Sequence, residues 1–217
     1  MLRTAYRSLL VAALATAPAV AQKSIGGFSG PGQRTDSAHL VGVFENNKFV
    51  MPLGAAFLSY VPAKWKPEFN DQAKVDALTS GHLFRLGLNN WATLDNLVPM
   101  TFGNVTIPVG IWYLGIARDS SGSKWTLVFV DPVKCKAAGV WPPMADNAPR
   151  THEVPLPVEK AATVVETMEV SLNKDDKDPA KGTFKIAFGT MKASVGYELK
   201  IPAAAEASSK DAGGKKN

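Results

Sequence analysis

Arg85 is the side chain of this sequence with the most chemistry around it. On an extended strand it shares a face with Leu83, Gly87 and Asn89, while Phe84, Leu86 and Leu88 point the other way. Gly87 leaves space beside the guanidinium, and Asn89 adds a donor and an acceptor within reach. An arginine in such company clamps a carboxylate or phosphate through its planar fork. Asn90, Thr93 and Asp95 lie just beyond and suit the lining of the same place. The expected ligand-binding set is therefore Arg85, Asn89, Asn90 and Thr93, with Arg85 holding an anionic or carbonyl group. The same residues also suit a polar sheet face, in which Arg85 pairs with Asp95 or caps loop carbonyls to fix a turn.

Other chemistry is harder to assemble from the residue spacing. His39, His82 and His152 are far apart and show no H-x-H or H-E-x-x-H pattern, so no metal site is expected. The loop Asp175-Asp176-Lys177-Asp178 has the composition of a calcium loop but lacks its glycine and its distant bidentate Glu, and it reads as a solvated turn. No G-x-S-x-G or nucleophile–base spacing occurs, and no catalytic residue or cofactor is expected. Trp91, Trp112, Tyr113, Trp125 and Trp141 have the chemistry of an aromatic platform for sugars or lipids, but Trp112 and Trp125 fall on core-facing strand positions and read as packing, whereas Trp141, followed by Pro142 and Pro143, reads as an exposed contact. Cys135 is the only cysteine, which excludes a disulfide framework, and it is expected to be buried.

The first residues point to export. Arg3 and Arg7 precede an apolar run from Leu9 to Ala17, and Ala19-Val20-Ala21 forms a small-x-small cleavage site. Residues 1–21 thus read as a general secretory signal peptide, too short in its apolar run to span a membrane. The expected location is periplasmic or extracellular. The 24 basic and 19 acidic residues give a net charge of +5, and removing a leader that carries Arg3 and Arg7 but no acid leaves +3. The remaining basic residues are interspersed with acids, so no nucleic-acid interface is expected.

Period-two alternation dominates the chain beyond the leader. It marks strands around Trp125–Phe129, Met168–Leu172, Phe184–Phe188 and Val195–Ile201, with further candidates at His39–Phe44, Phe49–Tyr60, His82–Leu88, Ala92–Leu97 and Gly110–Arg118. Turn signals separate them at Glu45-Asn46-Asn47, Asp119–Gly122 and Asn173–Pro179, and Gly189-Thr190-Met191 is short enough for a tight hairpin. One helix is expected, capped by Asn70 or Asp71 and ending before Gly81. The Pro-rich stretch Val140–Val158 reads as a long irregular connection. Strands joined by short turns build an all-β fold, an antiparallel sandwich or barrel-like sheet with one short helix. The expected layout is a flexible lead-in over 22–37, one β-sandwich domain over 38–202 and a disordered tail over 203–217.

Three segments in this order also resemble a known family. Phe84-Arg85-Leu86-Gly87-Leu88-Asn89 is similar to a W-R-x-G-A-N signature, Ile107 to Gly115 resembles a P-A-G-x-Y-x-L-G motif, and Lys124 to Phe129 resembles a W-T-x-x-F strand. Together they resemble the bacterial secreted family called domain of unknown function twenty-nine eleven. Phe84 stands at that family's tryptophan and Leu88 at its alanine. The resemblance implies an exported all-β domain and carries over no catalytic residue.

These readings converge on a monomeric or weakly associating, non-catalytic binding or interaction module of the bacterial cell envelope. Its partner would be a small anionic or carbonyl-bearing ligand, or another envelope protein that meets the loop at Trp141. The alternative is a hydrolase acting on envelope material, using Asp95, His82 or His152 near Arg85.

Overall fold

The computed structural model describes residues 34–46 and 48–202. The proposed leader, most of the lead-in and the C-terminal tail lie outside the described residues. Among those described, eleven strands form two antiparallel sheets. The first holds β1 (Thr35–Glu45), β2 (Lys48–Tyr60), β4 (Ala92–Asn96), β7 (Gly110–Arg118), β8 (Trp125–Val130) and β9 (Arg150–Pro155), in that spatial order. β3 (Leu83–Arg85) pairs with β7 beyond the end of β4. The second sheet runs β10 (Val158–Lys174), β11 (Lys181–Leu199), β5 (Met100–Phe102) and β6 (Val105–Ile107). The all-β, sandwich-like class read from the alternation is the fold that forms.

The inner faces supply the core. Leu58, Leu94 and Trp112 oppose one another across β2, β4 and β7, all buried. The second sheet meets them with Met100, Phe102, Phe184 and Leu199, each almost fully excluded from water. Every such Leu or Phe contributes about 1.5–3 kcal/mol by leaving water. A smaller core lies on the other face of β7 and β8, where Ala117, Val128 and Val130 are covered by Leu83, Trp91, Cys135 and Ala145.

Polar side chains stitch the two sheets where no backbone ladder joins them. Ser37 Oγ on β1 accepts the Leu172 N–H of β10 at 3.0 Å, and the Tyr60 hydroxyl on β2 accepts the Val170 N–H at 2.9 Å. His39, only 2% exposed, bridges from β1 to β11. Its Nε2 faces the Pro179 carbonyl at 2.7 Å, and a carbonyl only accepts, so the ring proton is assigned to Nε2. Nδ1 then accepts from the Tyr197 hydroxyl at 2.7 Å. Burial lowers the His39 pKa and raises that of Tyr197, which keeps the imidazole neutral and the phenol protonated.

The structure corrects four expectations about local organisation. β11 runs unbroken through Gly189-Thr190-Met191, so no hairpin forms there. Gly189 instead sits at φ 60 opposite a shift of register with β10, and its missing side chain makes room for the Trp65 ring. The Pro-rich stretch is largely structured, with a 3-10 turn over Pro142–Asn147 leading into β9. β9 is a sheet edge, where proline breaks no second ladder. The expected helix forms as α1 (Gln72–Thr79), capped by Asp71, whose carboxylate accepts from the Ala73 N–H. A second helix, α2 (Pro132–Ala137), forms where the sequence pattern marks none, although Asp131 caps it and Pro132 opens it in the ordinary way. β1 also begins at Thr35, inside the stretch read as lead-in.

Candidate functional site

The segment that carries Arg85 is a broken strand. β3 and β4 both pair with β7, Leu83 opposite Ala117 and Ala92 opposite Leu114. Between them the chain leaves the sheet and returns, and the Ala92 N–H donates to the Leu86 carbonyl at 2.7 Å to close the neck. Gly87 at φ 95 and Asn89 at φ 64 make the excursion turn. A side chain at Gly87 would also press on the Asn90 and Val61 carbonyls. The expected strand His82–Leu88 therefore stops at Arg85, and the alternation that would put Asn89 on its face is lost.

That break distributes the predicted site residues. Arg85 stays in the sheet, half-buried, and lines a cleft of about 580 Å³. Asn89 and Asn90 are exposed on the excursion and do not line the cleft. Thr93 does not line it either; its hydroxyl meets the Ser59 carbonyl and an Nη of Arg34, each at 3.4 Å. Asp95 lies on the outer sheet face, opposite Phe57 and Ile111. Of the predicted set, the structure keeps Arg85 at the site.

Residues remote in sequence complete the cleft. Trp65 and Phe69, from the connection after β2, pack edge to face at 5.5 Å between ring centres, and Trp65 meets Phe188 of β11 at 5.2 Å. The Trp65 indole N–H donates to Asn70 Oδ1 at 2.8 Å, which fixes the ring plane. α1 contributes Val75 and Leu78, and β10 contributes Met168. Arg118 holds α1 against the sheet: its guanidinium pairs with Asp76 and donates to Thr79 Oγ1 at 2.9 Å, while the group lies 5.2 Å from the Trp125 ring centre. The walls are thus mostly apolar and aromatic, as in sites for small organic ligands, and the volume lies in the usual range.

The polar groups gather around β3. Arg85 donates from one Nη to the Pro142 carbonyl at 2.8 Å, and its Nε is buried without a partner. Burial lowers the guanidinium's pKa, so an acceptor arriving beside it is electrostatically welcome. His82 Nδ1 lies 2.7 Å from Asp146 Oδ2, and the other oxygen, Oδ1, accepts the Leu83 N–H at 2.8 Å. These bonds hold the Asp146 carboxyl below the ordinary carboxylate range. Both side chains are about half exposed. Thr79, the hydroxyl of the same cleft, donates to the Val75 carbonyl at 2.7 Å as well as accepting from Arg118.

The remaining singled-out residues lie elsewhere. Trp112 is buried in the main core with His152 edge-on at 5.1 Å, and Trp91 stacks on Tyr113 at 5.6 Å. Trp125, partly buried, packs against the main core as expected and lines the cleft as well. Trp141 is 72% exposed. Asp175 Oδ1 accepts the N–H groups of Lys177 and Asp178 at 2.8 and 2.9 Å, so the acidic loop closes on itself. Among the described residues no group of three or more His, Cys, Asp or Glu is placed to hold a metal, and no helix is long and apolar enough to cross a membrane. Trp65, Asp146, Met168 and Phe188 escape a reading of the sequence because nothing in their spacing links them to Arg85.

Comparison of the chain with family models, with curated proteins and with solved structures found no match.

Proposed function

We propose that the chain is an exported, non-catalytic binding module of the bacterial cell envelope, and that its cleft at Arg85 takes a small anionic or carbonyl-bearing ligand. The observation that carries this reading is the half-buried guanidinium in the wall of a mostly apolar cleft, given one acceptor by the protein and left with a buried, unpartnered Nε. Such a site discriminates by charge at one point and by shape elsewhere. The leader motif of residues 1–21 and the three-motif resemblance to the secreted family support export. The test is a thermal-shift screen of the parent and Arg85→Ala against metals, sugars, nucleotides and short carboxylates. A ligand that stabilises the parent and not the variant supports the site; equal shifts in both overturn it.

A second reading is a hydrolase, favoured by the His82–Asp146 pair at 2.7 Å in the cleft that Arg85 also lines. Asp146 orients the ring through Nδ1, as a supporting carboxylate does for a general base. Binding remains the first reading because the Thr79 hydroxyl of the cleft is spent on Val75 and Arg118, and Cys135 is buried on the inner side of α2, in the smaller core. Turnover of nitrophenyl esters by the parent, abolished in His82→Ala, would reverse that order.

A further inference from the structure

We infer that the ligand of the cleft is a free carboxylate with an extended apolar chain, its head at Arg85, which lies on the outer face of β3 with Leu83, and its chain passing the edge of β3 that faces away from β7 to enter the space between the two sheets. This rests on the binding reading above and specifies the chemistry of the occupant. The first observation is what lies at the inner end of the cleft. A small void of about 30 Å³ sits between the sheets, and six of the ten residues around it also line the cleft: Leu86, Ile116, Trp125, Met168, Phe188 and Met191. Its other four residues, Leu156, Val158, Ile186 and Ala193, are also apolar. A void of that size has room for about one water molecule but offers it no polar partner, so it stays dry and favours a hydrocarbon terminus.

The second observation is the adaptability of this passage. Met168 and Met191 flank it, and unbranched thioether side chains repack around a chain of varying bend. The Trp65 ring is held by Phe69, Phe188 and Asn70, and Gly189 lies so close beneath it that a Cβ there would sit 2.2 Å from the indole. That glycine seats a flat aromatic wall along the path.

The third is charge. Arg85 is the cation at the head end, and the nearby carboxylate, Asp146, is already engaged by His82 and the Leu83 N–H. Lys64 at the rim is bonded to Thr167 Oγ1 at 2.7 Å. One guanidinium with one protein acceptor matches a single carboxylate better than a bulky zwitterionic headgroup, whose further charges would meet apolar walls.

The experiment titrates the full chain with dodecanoate, dodecanol, acetate and dodecylphosphocholine at submicellar concentration. It follows tryptophan emission, to which Trp65 and Trp125 in the cleft contribute, together with the thermal midpoint. Dodecanoate should bind most tightly, with Arg85→Gln weakening it about tenfold or more while leaving dodecanol unchanged. Leu78→Glu, on the exposed side of α1 and in the cleft lining, should also weaken dodecanoate about tenfold while keeping the unliganded thermal midpoint. It keeps the test intact if Arg85→Gln fails to fold. Acetate binding as tightly as dodecanoate, with both lost in Arg85→Gln, would overturn this inference and leave the binding function standing. Dodecanoate and dodecanol binding alike, or dodecylphosphocholine outcompeting both, would overturn the assignment of the head. Binding of no probe, or binding indifferent to both substitutions, would overturn this inference together with the function it rests on.

Discussion

Replacing Tyr197 with Phe removes one oxygen and keeps the ring that packs against Phe102 at 5.7 Å. The lost hydroxyl is the donor to His39 Nδ1, on a side chain 2% exposed, so the variant buries a ring nitrogen with nothing to bond. Stranding a buried acceptor costs about 1–3 kcal/mol. For a domain of this length that corresponds to a fall in Tm of roughly 2–12 °C. The pH dependence carries a second signature. Burial lowers the His39 pKa from its ordinary 6.5, so below that value the unfolded chain binds more protons than the folded one. Parental stability therefore holds above pH 6.5 and falls as pH drops toward the lowered folded value. In Tyr197→Phe the neutral ring loses the donor that favours it, so its folded pKa moves back upward and this part of the slope flattens. Urea unfolding of both proteins at about pH 7.5 and about pH 5, which bracket the ordinary imidazole value, measures both effects. Equal stabilities within about 0.5 kcal/mol at the higher pH, or parallel losses on acidification, would refute the reasoning.

Gly115→Val should destabilise by about 1–3 kcal/mol in denaturant titration, because a Cβ there sits 2.8 Å from the Phe84 carbonyl oxygen, a backbone atom of β3 that has nowhere to go. Asn96→Ala should cost about 1–3 kcal/mol, since the fully buried Asn96 amide donates to the Val98 and Pro108 carbonyls at 2.8 and 2.9 Å, and its removal strands the Val98 carbonyl and leaves Pro108 with the Trp112 indole N–H at 3.1 Å. The Asp119 carboxyl should titrate at about 2 by NMR, held down by the Lys124 N–H, the Ser121 hydroxyl and then Ser123. The order it gives the loop after β7 is complete above the ordinary 3.8 and is lost as pH falls through about 2; a value near 3.8 would contradict those bonds.

How much of this was legible in the sequence differs by level. The strands with clean alternation, Gly110–Arg118 and Trp125–Val130 above all, emerge where the pattern places them, because one face of each must enter the core. Pairing order was not legible: β4 and β5 are neighbours in sequence yet belong to different sheets, and the short β5 and β6 give too few residues for a period. Arg85 stands out for its chemistry, but Gly87 is more than a gap beside it. A glycine with an asparagine two positions on supplies two left-handed conformations, and these turn the chain out of the strand. Gly189 poses the same ambiguity, since the residue that permits a reversal also permits a bulge against Trp65. The cleft itself was illegible because its aromatic and methionine walls meet only through long-range packing.

The closed neck between Leu86 and Ala92 makes the excursion a replaceable insert. Its two stems are anchored independently on β7, so the register of β4 does not depend on how many residues lie between them. Lengthening a loop costs only about 0.6 kcal/mol per doubling. Leu88, on that insert, is also part of the cleft lining. Variation confined to this one short segment can therefore reshape the mouth of the cleft, and with it ligand preference, while both sheets keep their pairing.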